Sequence, residues 1–90
     1  MYLHLGQEVL VRSKDIVGIF DLDTATIGKE TRNYLARAEK RGRVVNVTSE
    51  LPKSFIVCAN AKGKVTVYIS QISSSTLLKR SGFIHMISNV

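Results

Sequence analysis

The chain is short of several things, and each shortage removes a class of protein. It has a single cysteine, so Cys58 closes no internal disulfide and the fold must hold without cross-links, as expected in a reducing compartment. No wholly apolar stretch approaches the ~20 residues that span a bilayer, so no membrane insertion is expected. The first residues, MYLHLG, lack the basic and long apolar regions of a signal peptide, which makes the cytoplasm the expected location. Tryptophan is absent, and the three Tyr and three Phe are not interleaved with basic residues, which argues against a stacking platform for single strands. With one proline, and 44% hydrophobic against 22% charged residues, the composition is that of a packed domain, not a disordered linker.

Charge is what the chain has in excess. Thirteen Lys and Arg face seven Asp and Glu, a formal +6. Residues 29–53 alone hold seven cations and three glutamates, with Lys40-Arg41-Gly42-Arg43 the densest run. A basic balance favours polyanions, because each phosphate contact releases condensed counterions. The plainer reading of the same residues is a solvated helix face. Ninety residues make one small domain with a modest core, so self-association is a natural source of added stability.

The patterning predicts an α+β domain, mostly antiparallel sheet with one main helix. Residues 2–5 and 8–12 read as strands around Gly6. Residues 15–21 (DIVGIFD) read as a third strand, buried on much of both faces, with Gly18 marking a bulge. Ile27, Thr31, Tyr34, Leu35 and Ala38 fall on one helical face, giving a helix over about 27–41 that Thr24 or Thr26 caps and Gly42 ends. Strands follow at 43–48, 53–59 and 64–72, the last two joined by a hairpin through Gly63. Residues 73–76 offer N-caps for a short helical turn over 77–80, followed by an apolar tail.

Chemistry is sparse. Phe20-Asp21-Leu22-Asp23 looks like the first motif of the haloacid-dehalogenase phosphatases, but Thr24-Ala25 stands where that family has Gly-Thr, and 90 residues cannot hold its doubly wound domain. His4, Cys58 and His85 are far apart in sequence, unlike zinc ligands, and His4 and Cys58 read as core or interface residues. No phosphate loop and no Ser-His-Asp set is present. The expectation is a protein without catalytic residues, metal, cofactor or small-molecule substrate.

Three stretches, MYLHLGQEVLVRSKDIVGIFDLDT, the helix end EKRGRVVNVT, and PKSFIVC with VYISQISSSTLLKR, resemble the RemA and RemB extracellular matrix regulators. The resemblance covers residues 2–80 as a single domain and leaves 81–90 as a short C-terminal extension. It implies a nucleoid-associated transcriptional regulator of biofilm matrix genes, built from LytTR-like subunits in a ring-shaped homo-oligomer that binds duplex DNA on a basic outer surface. Where the family carries a DNA-contacting arginine before its DIVGI-like strand, this chain has Asp15 beside Lys14. Where the family carries a basic pair before the strand at 54–58, this chain has Leu51 and Pro52, then Lys53. The residues expected to meet phosphate are Arg12, Lys14, Lys53, Arg41 and Arg43. The competing reading is an oligomeric interaction module that co-assembles with a DNA-binding paralogue.

Overall fold

The structure, a computed structural model, describes residues 1–22 and 28–81. Among them the chain forms six strands, a 3-10 turn and two α-helices: β1 (Tyr2–Gly6), β2 (Val9–Arg12), the turn Ser13–Asp15, β3 (Ile16–Asp21), α1 (Lys29–Lys40), β4 (Val44–Asn46), β5 (Ser54–Ala59), β6 (Val65–Ser70) and α2 (Ser74–Ser81). The α+β class holds. Instead of one sheet there are two: a β1–β2 hairpin and a four-stranded sheet ordered β3-β5-β6-β4. β3, β5 and β6 are mutually antiparallel, whereas β4 joins β6 in parallel.

The sheet is covered on both faces. Alternation along β5 sends Ile56 and Cys58 to one side and Phe55 and Val57 to the other. On the first side Ile56 and Cys58 pack with Leu3, Leu5 and Val11 of the hairpin, Ile16, Val47 and Leu77 of α2. On the second side Phe55 and Val67 pack under Ala38, Tyr34 and Leu35 of α1. The helix therefore runs over one face while the hairpin and α2 close the other.

β3 departs from its sequence reading. Val17 is 66% exposed and Phe20 42%, so one face of this strand is largely open. An apolar run predicts burial on both faces only for an interior strand, and β3 is at the sheet edge. The bulge expected at Gly18 is present, as a register shift between Ile16 and Gly18.

Helix ends follow the chemistry of their residues. Gly42 sits at φ +68°, and the Arg43 N–H reaches Ala38 O at 2.9 Å while the Gly42 N–H reaches Glu39 O at 3.0 Å, which satisfies the last carbonyls of α1. Gly28 is the N-cap of α1; Ile27, Thr24 and Thr26 lie outside the described residues. α2 begins earlier than its apolar pattern predicts, because Ser73 Oγ accepts the Thr76 N–H at 3.3 Å and caps it.

Two serines are wholly buried and tie the layers together. Ser70 Oγ donates to Leu5 O at 2.7 Å and accepts from the Ile72 N–H at 3.0 Å, linking hairpin to sheet. Ser54 Oγ donates to Ile72 O at 2.7 Å. Ser70→Ala strands the Leu5 carbonyl in the core and is expected to cost about 1–3 kcal/mol. Urea denaturation reads the loss, and the exposed Ser75→Ala is expected to leave the midpoint in place.

Candidate nucleic-acid interface

Topology gathers the cations. β3, β4 and β6 all begin, and β5 ends, at the same end of the four-stranded sheet. The turn Ser13–Asp15 leads into β3, the end of α1 leads into β4, and the loop 60–64 joins β5 to β6. Each connection carries positive charge. Among the described residues Arg12, Lys14, Arg37, Lys40, Arg41, Arg43, Lys62 and Lys64 meet there, all exposed, against only Asp15 and Glu39. Eight cations and two carboxylates give this end +6, the formal charge of the entire chain.

The geometry is that of an open surface with shallow relief. Arg12, Lys14 and Lys62 surround a hollow of about 580 Å3 whose floor is Ala59, Asn60 and Ala61. Arg37, Arg41 and Arg43 surround a smaller one of about 210 Å3 beside Val65. The hairpin loop is fixed by its asparagine: Asn60 Oδ1 accepts the Lys62 and Lys64 N–H groups, both at 2.9 Å, and Gly63 takes φ +80°. That holds the Lys62 and Lys64 backbone in place and leaves both side chains in solvent.

Arg12 meets Asp15 at 4.0 Å, a surface pair of little energetic weight. Among the described residues none of the other seven cations is in an ion pair. The end is therefore available to an external polyanion.

Four of the five residues expected to meet phosphate, Arg12, Lys14, Arg41 and Arg43, come together at this end. Lys53 does not. It precedes β5, with its N–H on Ser70 O at 2.8 Å, at the opposite end of the sheet. Six strand residues at roughly 3.3 Å each put it about 20 Å away. Arg37, Lys62 and Lys64 join instead; the sequence pattern puts Arg37 on a solvated helix face, Lys62 in the hairpin loop and Lys64 at the start of a strand. The signal for them is the hairpin itself: a loop that closes β5 onto β6 must lie at the end where α1 hands over to β4.

The other candidate sites resolve simply. Cys58 is in the core, and burial, with Asp15 adding to it, pushes its pKa up to about 11. At pH 8 this leaves the thiol almost wholly protonated, so alkylation of the folded protein is expected to be slower than that of the unfolded chain by on the order of 100-fold. Thiol titration with and without denaturant checks this. His4 is exposed, its Nε2 at 2.7 Å from Gln7 O, and His85 lies outside the described residues. Among the described residues no three His, Cys, Asp or Glu side chains group as metal ligands, and no helix is long and apolar enough to cross a membrane.

An α+β domain with its charge excess on one end presents a surface complementary to polyanions, and comparison with known proteins gives the family. Residues 2–80 match the RemA-like family, described as extracellular matrix regulatory protein A-like, and the chain belongs to it. The chain is similar to extracellular matrix regulatory protein B of Bacillus subtilis (strain 168), with 36% identity over 89 residues that cover 99% of this chain and 100% of that relative.

Proposed function

We propose that this chain is a non-catalytic transcriptional regulator of extracellular matrix (biofilm) genes, and that it binds duplex DNA as a homo-oligomer through its basic end. The observation that carries the reading is the concentration of the full +6 on one exposed end of the sheet. Three strand spacings of about 4.8 Å make that end roughly 14 Å wide. A duplex presents about one negative charge per 1.7 Å of axis, so this width faces several phosphates at once.

The contact is to backbone and not to base edges. Among the described residues no helix projects from this end to enter a groove, since α1 lies flat over the sheet with its last turn at the rim. Arginines at 37, 41 and 43 supply planar forks for phosphate oxygens, and the lysines act as point charges. Sequence preference then comes from the shape and deformability of the duplex. A salt series by fluorescence anisotropy tests this. With four cations per subunit on phosphates, log K falls against log salt with a slope of about −3.6 per subunit. A slope near zero removes the reading.

The alternative, an interaction module that co-assembles with a DNA-binding paralogue, is favoured by Asp15, Leu51 and Pro52 at positions where the family carries arginines or a basic pair. No retardation of any duplex at low salt, with stable binding to the paralogue, selects it.

A further inference from the structure

Three of the cations at the basic end share one small hollow. Tyr34, Arg37, Ala38 and Arg41 recur at i, i+3, i+4 and i+7, so they lie on one face of α1 and its cap. Tyr34 and Ala38 turn that face onto the sheet, which leaves Arg37 and Arg41 at its margin. Arg43 joins them from the sheet side, where its carbonyl accepts the Val67 N–H at 2.8 Å. The three arginines and Tyr34 wall a hollow of about 210 Å3 over Ala38 and Val65.

The chain itself gives these arginines nothing to hold. Like charges four residues apart on a helix repel, so Arg37 and Arg41 carry a cost. A helix C-terminus attracts cations, but here its carbonyls are already taken by backbone donors. Arg37 O accepts the Arg41 N–H at 3.1 Å, Ala38 O the Arg43 N–H at 2.9 Å and Glu39 O the Gly42 N–H at 3.0 Å. Among the described residues none of the three guanidiniums has an ion-pair or hydrogen-bond partner. Glu39 is two residues from both Arg37 and Arg41, which puts it ~200° around the helix from them. The hollow is a set of donors without an acceptor.

Three planar forks around one small volume suit a tetrahedral oxyanion with several free oxygens. A phosphate in a duplex is a diester with one charge, whereas a phosphomonoester carries about −1.5 to −2 at pH 7 and three free oxygens. We propose that the Arg37, Arg41 and Arg43 hollow binds the phosphomonoester group of a small soluble molecule. Size favours a small ligand: a water in the liquid takes ~30 Å3, so this volume holds a phosphate and a short substituent. Binding of the monoester is independent of DNA. Its regulatory consequence rests on the proposed function: a bound dianion adds −2 to the +6 of the basic end and occupies three arginines, so duplex binding weakens.

Calorimetric titration in DNA-free buffer, with methyl phosphate and dimethyl phosphate at matched ionic strength, tests the site. Methyl phosphate is expected to saturate at one per chain and to bind at least about tenfold more tightly than the diester. Arg37→Lys with Arg41→Lys keeps both charges but loses both forks, and is expected to bind methyl phosphate about tenfold more weakly. Lys53→Gln removes a charge at the far end of the sheet and is expected to stay within about twofold of wild type. Equal binding of the two esters, or a lysine variant equal to wild type, overturns the proposal. In a second arm, saturating methyl phosphate is expected to weaken duplex binding by wild type at least about tenfold. No duplex binding, with the first arm as expected, overturns the DNA reading and leaves the site standing. Failure of the first arm with duplex binding intact overturns the site alone. Displacement of methyl phosphate by a duplex with 5′-phosphorylated ends, and not by one with 5′-hydroxyl ends, would assign the hollow to a strand end and overturn the small-molecule source.

Discussion

Reversing two charges at the basic end, Arg43→Glu with Lys62→Glu, is expected to weaken duplex binding by at least about 100-fold at low salt and to lower the magnitude of the salt slope by about 2. The two residues come from different connections, the start of β4 and the β5–β6 loop, and meet only because both connections fall at one end. The double reversal takes that end from +6 to +2, and both side chains are exposed, so stability is expected to change by less than about 1 kcal/mol. Lys53→Glu makes half that change, at a single residue about 20 Å away by strand length. It is expected to keep binding within about threefold of wild type, because exposed charges beyond a Debye length of ~10 Å are screened. Gel retardation across a salt series reads all three proteins. A loss in Lys53→Glu that is half the double variant's on a logarithmic scale would mean that net charge, and not its location, governs binding.

The second large effect is on stability. Leu77→Ala is expected to destabilise the domain by about 2–5 kcal/mol. Leu77 is 0% exposed and is the side chain through which α2 enters the cluster of Leu3, Leu5, Val11 and Ile56. α2 has eight residues, too few to hold a helix on propensity alone, so its order depends on this contact. A domain of this size has roughly 5–15 kcal/mol in total, and each kcal/mol moves Tm by about 4–8 °C. The loss therefore appears as a Tm lower by tens of degrees, or as failure to fold at 37 °C. Leu51→Ala is the control: Leu51 is 82% exposed, and no change beyond about 0.5 kcal/mol is expected. Calorimetry separates the two.

Local signals in the sequence carried much of this fold. The helical face of Tyr34, Leu35 and Ala38 appears as α1, Gly42 and Gly63 take the positive φ their positions required, and Gly18 lies at a bulge. Pairing beyond the β5–β6 hairpin was not legible. Alternation in residues 43–48 announces a strand but not its neighbour, so the parallel union of β4 with β6 came only with the structure. The same limit applied to the site. Lys53 and Lys62 look alike in a linear reading, each basic and beside a strand. What separates them is that one precedes β5 and the other follows it, and a strand has two ends. The apolar run of β3 also concealed its edge position, which is why Val17 and Phe20 were expected inside.

Family membership and charge placement are separate observations, and the proposed function draws on both. The match over residues 2–80 comes from sequence similarity, while the basic end comes from where three connections meet. Under the proposed function the departures at Asp15, Leu51 and Pro52 have a physical reading: the helix terminus and the hairpin loop would carry the phosphate surface.

The most direct test of that placement is amide hydrogen exchange, read by mass spectrometry, with and without a short duplex at low salt. Slowed exchange is expected in the peptides spanning residues 13–15, 41–43 and 60–64, and unchanged exchange around Lys53 and Gln71. Protection centred on residues 51–53, with 60–64 unaffected, would contradict the account.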